Sequence, residues 1–190
     1  MTQVIYSYTY TVQLKNTETK YGLLSIALHW SVALIVLILL PLGLWTTSLD
    51  YYDPWYKKGP DLHRSLGVIA GILIMLRITW RFYNVQPKTF ARHWEQRLAR
   101  LSHSLLYLLP ILLIISGYLT STADGRPVDV FDWFSIPAVL SNLENQEDIA
   151  GWMHYILGLT LIFTIFLHVT GALKHHFIDK DNTLKRIFGK

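Results

Sequence analysis

Five histidines stand in apolar stretches of this sequence: His29, His63, His103, His154 and His168. An imidazole buried in hydrocarbon without a partner is costly, so each needs a reason. For a lone histidine the plain reason is a hydrogen bond to a neighbouring helix, but the spacing here argues for more. His154 and His168 are fourteen residues apart in one apolar segment. On a helix that places them within ~40° of one face and ~21 Å apart along the axis. One helix then offers two ligand nitrogens at two depths. Two neutral imidazoles facing each other across a bundle suit a six-coordinate haem iron, whose flat apolar ring also gives lipid-embedded helices contact area. Zinc or copper fits less well, because a tetrahedral zinc site needs three or four close ligands and these levels, ~20 Å apart, have no acidic residue or cysteine beside the histidines. The chain has no cysteine at all, which removes iron–sulfur ligation and the C-x-x-C-H route to covalent haem.

Such positions need helices that cross a bilayer. The 190 residues are 52% hydrophobic and 16% charged, too apolar and charge-poor for an ordinary soluble domain. Four segments are long enough, at ~1.5 Å per residue, to cross ~30 Å of hydrocarbon. They run from Leu23 to Trp45, about Leu62 to Trp80, about Leu98 to Leu119 and about Ile149 to Leu173. In the second, His63, Arg64 and Arg77 lie near the ends and the stretch from Ser65 to Leu76 is uncharged, so it still reads as a span. The formal charge of +4 comes from short basic runs between apolar segments, which points to a membrane surface and away from nucleic acid.

The distribution of those runs predicts orientation. Arg81, Lys88, Arg92, Arg97 and Arg100 fill the second connection, and Lys174, Lys180, Lys185, Arg186 and Lys190 the tail. Both should be cytoplasmic. The third connection carries Arg126 alone against Asp124, Asp129, Asp132, Glu144, Glu147 and Asp148, and should lie outside. The expectation is an all-α membrane protein, a four-helix transmembrane bundle with both termini cytoplasmic. Residues 1–20 read as a loosely ordered polar extension with no signal peptide, and residues 21–190 as the membrane domain.

With that topology His63 enters from the outer surface at about the depth of His154, and His29 from the inner surface at about the depth of His168. His103 also starts near the inner surface, so depth alone leaves both His29 and His103 open as partners of His168. Gly67 and Gly71 share the face of His63, Gly151 and Gly158 that of His154, and Gly43 lies fourteen residues beyond His29. Close helix contact is the commoner use of such glycines; here they recur in register with histidine and leave space beside it. Arg77, fourteen residues beyond His63, should reach the inner level, to pair with a haem propionate or to snorkel to the surface.

At these residues the chain resembles the bacterial cytochrome b561 family. The resemblance runs from about Lys20 to Lys190. It rests on Tyr21 and the S-I-A-L-H-W run ending at Trp30, on D-L-H-R-S-L-G from Asp61 to Gly67, and on A-R-L-S-H-S-L-L-Y from Ala99 to Tyr107. In the fourth span it rests on W-M-H at Trp152 to His154, L-H-V-T-G-A-L-K-H-H from Leu167 to His176, and D-K-D-N-T-L from Asp179 to Leu184. The resemblance implies a dihaem cytochrome of the inner membrane over residues 21–190, with two non-covalent haem b groups. It implies His29 and His168 on the inner iron, His63 and His154 on the outer, and leaves the histidine at His103 unligated. It further implies electron transfer from a periplasmic donor, superoxide in the best-understood relatives, to ubiquinone.

Lys57, Lys58 and Arg64 could attract a superoxide anion, although the acidic third connection opposes them. Trp30, Arg77 and His175 are candidates to frame a quinone headgroup, with interfacial anchoring the plainer role for Trp30 and His175. Two other functions remain open from the sequence. One is a haem-bearing anchor subunit of a partner oxidoreductase, docked on the aromatic, acidic outer loop around Phe131, Trp133 and Phe134. The other is a non-redox helical membrane scaffold; transport is disfavoured, because no internal repeat or broken helix is present.

Overall fold

A computed structural model describes residues 13–88 and 92–189. In chain order the elements are α1 (Leu23–Thr46), α2 (Lys58–Phe82), α3 (His93–Ser121), strands β1 (Val128–Val130) and β2 (Phe134–Ile136), α4 (Gln146–Phe177) and the short α5 (Thr183–Ile187). Among the described residues, the four long helices are apolar enough to cross a membrane, which is the expected class. Each runs longer than its apolar stretch. With 32 residues, α4 is about 48 Å long against a hydrocarbon layer of about 30 Å, so it is longer than the layer it would cross.

The helices pack α1 on α2, α2 on α3, and α3 along α4. Their shared centre is a small cluster of Val36, Leu109 and Leu161, flanked by Val32, Leu105, Leu113 and Ile165. Leu161 lies midway between His154 and His168, so this apolar slab separates the two histidine levels. Leu34, Leu37, Phe163 and Phe166 face outward and exposed, a surface that lipid solvates. Pro41 lies inside α1 and Pro110 inside α3, each removing one backbone donor from the helical ladder.

The third connection forms an antiparallel hairpin with Val128 opposite Ile136, which the sequence reading did not anticipate. Three-residue strands are too short to leave an alternating pattern. The hairpin and the segment after it are anchored to the bundle by buried Ser65 and half-buried Tyr118. Ser65 Oγ on α2 accepts the Phe131 N–H at 2.9 Å and donates to the Asp129 carbonyl at 3.4 Å. Tyr118 Oη on α3 donates to Pro137 O and accepts from Val139 N, both at 2.8 Å. Val130 between them is 0% exposed.

The polar extension departs from expectation where it is described. From Gln13 onward it is docked and not loose, because one side chain supplies both donor and acceptor. Asn16 Oδ1 accepts from Gly22 N at 2.9 Å and Ser25 Oγ at 2.6 Å, while its Nδ2 donates to Val85 O at 2.8 Å. Trp80 Nε1 donates to the same Ser25 hydroxyl at 2.8 Å. The first turn of α1 is thereby tied to the end of α2. Residues 1–12 lie outside the described part.

Candidate functional site

The helices place histidines at two levels. At the hairpin-side level the rings of His63 on α2 and His154 on α4 stand 6.1 Å apart, centroid to centroid, with planes at 82°. An imidazole nitrogen sits about 2 Å from a metal it ligates and its ring centroid about 1 Å further, so trans imidazoles on one metal hold centroids about 6 Å apart. The observed pair has that separation. His154 Nδ1 meets the Leu113 carbonyl at 3.0 Å and Ser116 Oγ at 3.1 Å. A nitrogen so engaged fixes the ring and leaves Nε2 as the ligand atom, the usual outer-shell device of metal-binding histidines. His63 Nδ1 is buried with no hydrogen-bond partner.

Glycines make this approach feasible. A Cβ at Gly43 on α1 would stand 2.8 Å from His63 Cε1, and one at Gly117 on α3 would stand 3.1 Å from His154 Cε1. Gly43 was singled out from sequence by its spacing from His29; in the fold it serves His63, because α1 and α2 run side by side in opposite directions. Gly117, Ser116 and the Leu113 carbonyl were missed. Their only sequence signal is a small Ser-Gly pair inside an otherwise bulky span. At Gly67 and Gly158, one turn from His63 and His154, an added Cβ would meet no atom within 4 Å. That open space beside both rings is what a flat macrocycle between them needs. The residues present fit haem.

At the opposite, tail-side level, His168 on α4 has the His103 ring at 5.3 Å and 65°. His29 lies within electrostatic reach of His168, His103 and Arg77, and its Nδ1 is also buried without a partner. Gly171, three residues past His168, has open space where a side chain would be. The fold thus brings His29, His103, His168 and Arg77 into one neighbourhood, with His103 the one in ring contact with His168. The Arg77 guanidinium lies 5.6 Å from the Tyr107 ring centroid, with Arg81 at 5.8 Å from the same ring, so a cation–π contact holds its stem.

The remaining candidates are engaged locally. Trp30 Nε1 donates to the Ile187 carbonyl at 3.0 Å, and its ring packs 4.9 Å from Phe188 and 5.3 Å from His29. The C-terminal turn is therefore seated on the residue next to His29. His175 Nδ1 lies 2.9 Å from Asp179 and 3.0 Å from Asp181. On the hairpin side, Arg64 is ion-paired with Asp61, and Arg126 with Asp124, whose carboxyl that hydrogen bond holds below the usual carboxylate range. Lys57 and Lys58 border a surface hollow of about 340 Å³ with Tyr51, Asp53, Pro54 and Tyr56.

Fold and site together define a multi-pass membrane protein with histidines facing one another inside its helix bundle. The chain belongs to the prokaryotic cytochrome b561 family, whose pattern matches residues 20–190. It is 45% identical to cytochrome b561 homolog 2 of Escherichia coli (strain K12) over 177 residues, 92% of this chain and 94% of the relative. It is 31% identical to the probable superoxide oxidase CybB of Yersinia pestis, over 90% of this chain and 97% of that protein. Cytochrome b561 homolog 1 of Escherichia coli is 25% identical over 88% of this chain and 96% of that relative. Membership makes the chain a haem b protein of membrane electron transfer, and removes the non-redox scaffold reading.

Proposed function

We propose that the chain holds two non-covalent haem b groups, one at each histidine level, and passes electrons from a periplasmic donor to ubiquinone. The hairpin end would face the periplasm and the basic, tail-bearing end the cytoplasm, in the bacterial inner membrane. The observation that carries this reading is the His63–His154 separation of 6.1 Å beside two glycines with open space. Bound haem supplies the one-electron change; the chain supplies ligands, burial and hydrogen bonding.

His63 and His154 would hold the outer group. His29 and His168 would hold the inner one, as the resemblance to the family implies, with the His103 ring beside His168. Arg77 would pair with an inner propionate. Superoxide is the proposed donor, supported by the relative named as a probable superoxide oxidase. Lys57 and Lys58 would draw in the anion, since Arg64 is paired with Asp61 and its field is damped. In balance, two superoxide ions each lose one electron to become dioxygen, and one ubiquinone gains both electrons and two protons to become ubiquinol. Trp30 and His175 would frame the quinone end, where Trp30 touches His29 and stands at the membrane edge.

The test is direct. The purified, haem-loaded protein in detergent is given enzymatically generated superoxide and a short-chain ubiquinone. Ubiquinol formation beyond the protein-free rate, with two haems per chain, supports the proposal; two haems with no ubiquinol formed rejects the donor assignment. A second reading, a haem-bearing anchor subunit, is favoured by one observation: Trp133, at the hairpin tip, is 73% exposed and packs on Phe131, with Phe134 alongside. It predicts haem reduction only when a partner dehydrogenase is added.

A further inference from the structure

We propose that the hollow between the end of α4 and α5 is a site for the phosphate headgroup of one anionic phospholipid of the phosphatidylglycerol kind. The site needs neither bound haem nor an assignment of sides. His176, Leu184, Lys185 and Phe188 line a surface hollow of about 290 Å³. Small-molecule sites run from about 300 to 1,000 Å³, so this one takes a headgroup and leaves acyl chains outside. Its walls divide in the same way. Lys185 and His176 supply polar nitrogens, while Leu184 and Phe188, four residues apart, supply an apolar side.

The hollow carries a positive charge that the protein leaves unbalanced. Among the described residues Lys185 enters no ion pair, whereas Lys88 pairs with Glu18 at 2.6 Å, and Lys174 with Glu95 and, at 2.7 Å, with Asp179. Asp179 and Asp181 both approach His175 Nδ1, at 2.9 and 3.0 Å, so the acids of this turn are engaged away from Lys185. The carbonyls that end α4 are taken up as well. Ile178 N and Asp179 N donate to Lys174 O at 2.9 and 3.2 Å, and Asp181 N to His175 O at 3.1 Å, which blunts the negative helix end an anion would otherwise meet. His176 Nδ1 is buried without a hydrogen-bond partner. A nitrogen so placed is less costly without a proton than with one, which puts the ring's proton on Nε2 as a donor.

The position of α5 selects a lipid. Trp30 Nε1 donates to Ile187 O at 3.0 Å and its ring packs 4.9 Å from Phe188, which seats α5 against the beginning of α1. Arg186 Nη1 ties it to Lys88 O at 2.7 Å. An indole at the end of a span marks the membrane–water interface, the level of headgroups. Phe188, Phe177 and Ile178, in or next to the lining residues along the chain, are 56%, 68% and 72% exposed, apolar surface that acyl chains would cover. Free phosphate would leave that surface bare, and a zwitterionic headgroup would set its own ammonium against Lys185. Basic pockets at the ends of membrane helices are a recurring way to hold anionic headgroups.

The experiment titrates dioleoyl phosphatidylglycerol into the delipidated, full-length, haem-loaded protein in an uncharged detergent, and counts retained lipids by native mass spectrometry. The expected result is one lipid per chain that binds about tenfold or more tighter than dioleoyl phosphatidylcholine and that inorganic phosphate at equal concentration does not displace. Lys185→Glu should weaken it about tenfold or more and Lys185→Gln less, while Leu184→Ser weakens it with no change of charge. Arg97→Glu, on the first turns of α3, should leave it unchanged. Equal binding of the two lipids, displacement by phosphate, an equal loss in Arg97→Glu, or unchanged binding in Lys185→Glu overturns the proposal. If Lys185→Glu undocks α5, seen as a lower melting temperature, Lys185→Gln decides alone: weaker binding at the parent melting temperature supports the site, and unchanged binding rejects it.

Discussion

Gly158→Ala should act with opposite sign on the apoprotein and on haem binding. A Cβ at Gly158 would meet no protein atom within 4 Å, so the substitution clashes with nothing in the chain. Replacing glycine by alanine in a helix interior favours the helix by about 0.5–1 kcal/mol. If a porphyrin occupies that space one turn from His154, the same methyl group overpacks it, at about 1–3 kcal/mol. Haem affinity would then fall about 5–150-fold. Gly151→Ala is the control, since its Cβ would meet Thr120 Cγ2 at an ordinary 3.8 Å. The assay is the haem-to-protein ratio after preparation under limiting haem, by pyridine haemochrome, with thermal melting of haem-free protein alongside. Gly158→Ala should lose up to one haem per chain while its apoprotein melts no lower than the parent; Gly151→Ala should keep both haems. Unchanged haem content and band positions in Gly158→Ala would refute the claim that haem fills this space.

Four further outcomes follow from the same geometry. His154→Ala and His168→Ala should each retain one haem of two, read by pigment analysis, and retention of both in either variant would overturn the ligand assignment. At the tail-side level, His29→Ala should lose a haem and His103→Ala should not; the reverse result would make His103 the ligand. Ser116→Ala removes one of the two contacts to His154 Nδ1. A neutral hydrogen bond of about 0.5–1.5 kcal/mol corresponds to a shift of about 20–60 mV in one haem's midpoint potential, with the other unmoved in a redox titration. Ser65→Ala strands the Phe131 N–H that Ser65 accepts at 2.9 Å, and should cost about 1–3 kcal/mol; hydrogen exchange at the hairpin amides should quicken while the helix centres stay protected.

Helix number, approximate span ends and the two-level spacing of His154 and His168 were legible in the sequence, because each depends only on residues along one helix. A rise and twist per residue convert fourteen positions into depth and direction without reference to any neighbour. The depth of Arg77 came the same way, and its proximity to His29, His103 and His168 agrees with it. The docking of residues 13–22, the hairpin and its anchor at Ser65 were not legible. Asn16 and Ser65 look like ordinary polar residues until Val85 and Phe131 arrive beside them.

What the sequence alone determined, then, is a set of apolar helices carrying imidazoles at two heights. Tertiary structure decided which helix stands beside which: that Gly43 makes room for His63, that Gly117 and Ser116 frame His154, that His103 touches His168, and that Glu95 meets the carboxylates around His175. The physical reason is the solvent. In lipid a helix is apolar on every side, so hydrophobic periodicity does not mark an inward face, and the rotation of each helix is set by packing of small and polar residues against partners far away in the chain.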